Sequence, residues 1–503
     1  MKKQLSLAVS MALGLAACGS SDSSSSPEPA PKYDWQIINL YAANQSDVAK
    51  SCVIYDNAIA EPQKVITASI ALYGYNILFH NRDGSVIAKH TIRATDVPST
   101  GIVTIDSANV PDGGYVSLEE VDGGIGGNAD VYMFTVQKEL LSDLVLNVRQ
   151  PQIGASCFKG SQDLPVETVK GAAISVLQEK NISYYQSSYG VDVDGHSISS
   201  HIPVKSELPA KKQVLVTAYE NDNSGNATIM SHYGLIQSGY IYDSNNPGSI
   251  VARPLTSENL IYQPWASENN LSISQGSAIY MVSNQETYLW QSIFEDNQEF
   301  AIVDGSSTLQ QWSAYFTGTE TNYLWHYHSY MPLDGSNSAI VNVLPEMYDF
   351  NDMAITSSCS AETSADLCID TDSFRTNDFD LQRTQVRSTA TIGGRNFYQS
   401  IYAVPSAQQV LMNSSVAIMD PSENNRVEVG LTKSDNLTQA LSYMMAESMN
   451  IQTAAKDSPI VPNFTDTNGS ILTLAEKTAT HQTILGTNST MVSNSTMVSN
   501  SKN

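Results

Sequence analysis

This chain has little charge, and less positive than negative charge. Only 15% of its 503 residues are charged, and 26 Lys and Arg stand against 51 Asp and Glu, a formal charge of −25. A surface of that sign repels phosphate backbones and anionic headgroups, which argues against nucleic acid as a partner. Long apolar runs are missing as well. The longest candidate after the amino terminus, Ile66 to Phe79, is about fourteen residues and contains Gly74 and Asn76. It falls short of the ~20 residues a spanning helix needs and reads as one or two buried strands. The motifs of common chemistries are also absent: no phosphate-cradling loop, no dinucleotide fingerprint, no His-Glu-x-x-His. Gly195-His-Ser-Ile-Ser199 lacks the last glycine that a nucleophile elbow requires. Gly123-Gly-Ile-Gly-Gly127 has no basic residue after it and reads as a flexible loop. An enzyme is not the expectation, and no cofactor is called for.

Cysteine is scarce and odd in number: Cys18, Cys52, Cys157, Cys359 and Cys368. In an oxidising compartment the last four can form two disulfides, with three possible connectivities. Closeness in sequence favours Cys359–Cys368, leaving Cys52–Cys157. Metal ligation by the four is the weaker reading, since no Cys-x-x-Cys pair occurs. Cys18 follows Lys2, Lys3, an apolar run from Leu5 to Ala17 and the small pair in Leu15-Ala16-Ala17-Cys18. That is the layout of a secretory signal peptide, and with a cysteine directly after the small pair it resembles the lipobox of bacterial lipoproteins. The resemblance implies that residues 1–17 are cut away and that Cys18, the new amino terminus, takes a diacylglycerol on its thiol and an acyl group on its amine. Loss of Lys2 and Lys3 takes the charge from −25 to near −27. Two or three acyl chains hold a protein firmly where one binds only marginally. Position 19 is Gly, not the Asp that resembles an inner-membrane retention signal, so the outer membrane is favoured, with the cell surface as one face.

Residues 18–32 form a Ser/Pro tether, GSSDSSSSPEPAPK after the cysteine, with no large apolar residue to bury. Residues 33–165 show short β-rich runs and turn clusters. Asn81-Arg-Asp-Gly84 predicts a hairpin joining Leu78-Phe79 to Val86-Ile87. Val103 and Ile105 alternate inward before Val110-Pro-Asp-Gly-Gly114 and an aromatic strand. This stretch resembles the closing strands of carboxypeptidase-regulatory-like modules and implies an immunoglobulin-type β-sandwich. The run from Lys138 to Val148 suits a helix or a strand. Residues 166–455 continue as short strands with Asn, Asp, Gly and Pro turns, an all-β region of two further modules. The fold class is therefore mainly β, tandem antiparallel sandwiches, with a sandwich plus propeller as the alternative; no blade signature repeats. One helix is predicted from Asp435 to Met449, capped by Ser434 or Asp435, with Leu437, Leu441, Met444 and Met445 on one stripe. Residues 456–503 read as a polar disordered tail.

Two patterns hold candidate ligands. His326 and His328, two apart on a strand, share a face and could meet one cation; this is the basis for a metal-dependent enzyme as a remote alternative. Asp370, Asp372, Asp378 and Asp380 form the densest acidic cluster, a candidate for Ca²⁺. Size, acidity and a Ser/Asn-rich β composition are similar to those of lipoproteins in the membranous sheath of some polar flagella. The expectation is a non-catalytic, lipid-anchored protein among envelope or surface proteins. The competing expectation is a surface binding module or adhesin for glycan, protein or calcium.

Overall fold

The computed structural model describes residues 29–57, 64–122, 129–148, 157–159, intervals of 165–447, and residues 461–462 and 481–487. The signal segment, Cys18 and nearly all of the tether lie outside the described residues. The protein is mainly β, built of several sheets packed in sandwich-like fashion.

The first sandwich is organised by strand β1, Lys32–Asn44. Its alternation buries both faces, since Trp35 and Ile37 point into one core and Ile38 and Leu40 into another. Strands β2 (Ile54–Asn57) and β3 (Lys64–Ile70) extend the sheet on one side. The second layer holds β4 (Tyr75–His80), with β5 (Ile92–Arg93) beside it. Strand β6 (Ile102–Asp106) takes over from β3 as the partner of β1 near Ile37, Trp35 facing Val103. The handover passes through Gly101 at φ +69°, where a Cβ would lie 2.3 Å from Ile70 Cγ2, so only glycine fits. Strands β7 (Tyr115–Asp122) and β8 (Asp130–Gln137) complete the second layer. Lys138–Leu140 is a 3₁₀ turn, and the run it begins then resolves as strand β9 (Leu144–Asn147), parallel to β1.

The hairpin at Asn81–Gly84 forms where the Asp-Gly pair places it: Gly84 N donates to Asn81 O, and Ile87 N to Phe79 O at 2.7 Å. Trp35, Ile77, Phe79, Val103, Val116, Phe134 and Leu146 fill the space between the layers. The Cys52–Cys157 disulfide, Cα atoms 5.5 Å apart, pins residues 157–159 along β3. Closing a loop of that length stabilises by about 4–5 kcal/mol in the chain-entropy account.

The second layer does not stop at β8. Asn396–Ala403 pairs with it in parallel, Phe397 opposite Val131 through Tyr402 opposite Val136. Beyond come Leu381–Thr389, Asn424–Ser434, His481–Thr487, Trp325–Pro332, Gln310–Thr319, Ala278–Ser283 and Glu286–Ser292, and with Ser272–Ile273 beside Gln310–Thr319 they make one sheet of 13 strands. A ladder of that length is incompatible with four-stranded propeller blades. It also carries residues from both sides of the expected boundary at 165. One of its strands, His481–Thr487, and the short Val461–Pro462 fall in the segment expected to be disordered. That expectation is corrected there: the Thr483 to Leu485 run is too short to show a period, and its neighbours on both sides supply the pairing.

On one face of the long sheet lies a core of Trp265, Trp290, Phe300, Trp312 and Phe316. Helix α1, Leu437–Glu447, covers the other face beside the first sandwich, starting two residues later than the cap pattern suggested. Its Leu441, Met444 and Met445 pack into the core of the first sandwich. Buried Arg383 holds the helix: Nη1 donates to Met444 O at 3.3 Å, and Nη2 pairs with Glu428 Oε1 at 3.0 Å.

Among the described residues no cation pairs with Glu119, which is wholly buried on β7. Its carboxylate accepts from Ser414 Oγ (2.6 Å), Ser415 N (2.8 Å), Ser415 Oγ and Asn76 Nδ2. Glu119→Ala should therefore cost about 2–3 kcal/mol in chemical denaturation, because it removes the charged acceptor that ties half-buried Ser414, 295 residues away, and Ser415 to the buried floor of β7. Ser415→Ala, which leaves the carboxylate its other donors, should cost less.

Candidate functional site

The sheet places His326 and His328 on one face of the strand Trp325–Pro332, opposite Thr319 and Thr317. His328 Nδ1 lies 2.9 Å from Tyr315 Oη, with the rings 6.3 Å apart. Desolvation, and then the neighbouring His328, pull the His326 imidazole below its ordinary value. Among the described residues no group of three or more His, Cys, Asp and Glu is gathered to hold a metal ion, so the pair gains no third ligand there.

The acidic candidates are dispersed. Asp370 ends the strand Cys368–Asp370, opposite Gln408. Asp378 is exposed, and Asp380 Oδ2 accepts from Ser434 N at 3.0 Å at the start of the long sheet. Asp372 lies outside the described residues. Asp370 lines a crevice of about 420 Å³ together with Arg82, Gln137, Ser360 and Gln408. That crevice separates the first sandwich from the small sheet carrying the Cys359–Cys368 disulfide. An arginine in the same crevice works against a divalent cation.

The geometry of a nucleophile and base does occur at His80. Its Nδ1 faces Gly84 O at 3.1 Å, so that nitrogen carries the proton. Nε2 then accepts from Ser117 Oγ at 2.9 Å, and Ser117 Oγ contacts Thr135 Oγ1 at 2.8 Å. All three side chains are fully buried. No substrate reaches such a serine, and the chain of hydrogen bonds satisfies polar groups inside the sheet.

Pattern reading missed a cleft on the open face of the long sheet. Reading across the strands, Arg426 stands opposite Arg387, Arg387 opposite Tyr398, and Tyr398 opposite Tyr132. The next row is Glu428, Gln385 and Ser400. The two tyrosine rings stack at 4.5 Å and 4°, and Arg387 Cζ lies 5.4 Å from the Tyr398 ring centre. Together these residues line a cavity of about 310 Å³. The period-2 alternation of Arg383, Gln385 and Arg387 was visible in sequence. Their partners, far off along the chain, were not.

No protein-family model matches the chain, and no curated protein is recognisably similar to it.

Burial pulls the His80 imidazole down to about 4, outweighing its bond to Gly84 and the nearby Asp83 carboxylate. The unfolded chain takes up this proton below about 6.5 while the folded one resists until about 4. Stability from this group is thus complete above pH 6.5 and is lost as pH falls through that window, by about 3 kcal/mol. Denaturation at pH 7 and pH 4 should show this slope, and His80→Gln should flatten it.

Proposed function

We propose that the protein is a non-catalytic lipoprotein, anchored through Cys18 in the outer membrane and serving at the envelope or cell surface. The observation that carries this is the cysteine accounting. Two disulfides take Cys52, Cys157, Cys359 and Cys368, which marks an oxidising compartment and leaves Cys18 in its Leu15-Ala-Ala-Cys18 setting for lipid. The compact β scaffold begins at Lys32, directly after a Ser/Pro stretch suited to be a tether. A component of a flagellar sheath is the narrower form of this reading. A surface binding module is the second reading, favoured by the open arginine–tyrosine cleft.

Labelled palmitate should enter the wild-type protein and not Cys18→Ser, and only the variant should extract without detergent. Label retained in Cys18→Ser sinks the anchor. Absence from purified sheathed flagella, with presence in outer-membrane fractions, removes the sheath reading alone.

A further inference from the structure

The open cleft between Arg426 and Tyr398 combines features that a merely structural surface does not need. Arg387 and Arg426 are direct cross-strand neighbours, and like charges so placed destabilise a sheet. Both are exposed. The nearest acidic residue of the cleft, Glu428, is already held by Arg383 at 3.0 Å. Among the described residues nothing pairs with Arg426. A chain with twice as many acids as bases has left two arginines facing each other on neighbouring strands, Arg426 with no acidic partner among the described residues.

We propose that this cleft binds a small hydroxylated carboxylate, of the class of a uronate sugar unit. Guanidinium forks carried on two neighbouring strands suit the planar, bidentate geometry of a carboxylate. Arg387 is steadied by the Tyr398 ring, so little of its freedom remains to be lost on binding. Gln385 and Ser400, both half-buried, offer donors and acceptors together, the mixture that sugar hydroxyls require. A cavity of about 310 Å³ sits at the small end of ligand sites and admits one or two sugar rings. The net charge sets the upper limit on ligand charge. A polyanion is repelled by the whole surface, whereas a monoanion gains more from two contacting arginines than it loses to a field screened within about 8 Å. This inference deepens the binding-module reading and does not depend on lipid at Cys18.

The test uses the full-length protein in non-ionic detergent, titrated with galacturonate and glucuronate by ligand-observed NMR. At least one uronate should saturate with a Kd of about 1 mM or lower. Galactose and glucose, lacking the carboxylate, should bind at least about tenfold more weakly. Arg426→Gln and Arg387→Gln should each weaken the uronate about tenfold or more. Arg426→Gln should leave the Tm unchanged or raised, since it relieves a like-charge pair; a residue kept for structure would lower it. No saturation by either uronate up to about 30 mM overturns the proposal. So does wild-type affinity in both variants. Acetate competing as well as the uronates also overturns it, by reducing the cleft to a bare anion site. Failure here with palmitate still incorporated at Cys18 would leave the anchor standing.

Discussion

Everything in this protein depends on the parallel pairing of β8 with Asn396–Ala403. The chain leaves β8 at Gln137 and returns more than 250 residues later to lie beside it. Bringing such distant segments together costs about 5 kcal/mol in loop-closure entropy alone, more than one hydrogen bond returns. The strand is held at both ends instead. Asp130 accepts from Asn396 N at 2.8 Å and from its side chain, while Gln137 Oε1 accepts from Val404 N at 2.7 Å. Between them Tyr132 stacks on Tyr398 and Phe134 lies 5.5 Å from Tyr402. Gln399 exchanges hydrogen bonds with Met412, and Glu119 grips Ser414 and Ser415. The segment 396–415 is thereby sewn onto the first sandwich.

That junction turns two modules into one sheet with two different faces. One face buries the tryptophan-rich core. The other begins as the core of the first sandwich and is carried on by helix α1 over Leu381 and Arg383. Among the described residues nothing continues the cover past the helix: Gln385 is half-buried and Arg387 exposed. The cleft is therefore a consequence of where α1 stops. A strand whose residues alternate in polarity passes from a sandwich interior into solvent without changing its sheet partners.

Much of the local structure was legible in sequence. Asp83-Gly84 announced its hairpin because few residues other than glycine accept φ +81°. The stripe Leu437, Leu441, Met444, Met445 announced its helix, and closeness in sequence pointed to Cys359–Cys368, now seen with Cys52–Cys157. The strand around Thr384 to Val386 was recognisable from β-branched alternation. His481–Thr487 was not, because a short polar-flanked run acquires its strand character from the ladders on either side. Lys138 to Val148 stayed ambiguous because its leucines suit either period; the chain turns through Lys138–Leu140 and then pairs with β1.

The site was less legible than the fold. His326 and His328 do share a face, as alternation requires, and alternation could not say that Tyr315 would be the neighbour of one of them. The acidic cluster was compact along the chain, yet Asp370 and Asp380 belong to different sheets. What the amino-acid order determined by itself was period, turn chemistry and covalent pairing, since each is set by residues close together or by a thiol's few available partners. What only the tertiary structure decided was which strands became neighbours, and so which charges met. Arg387 faces Arg426, and Tyr398 faces Tyr132, because register is a property of pairs of strands, and no strand carries its partner's address.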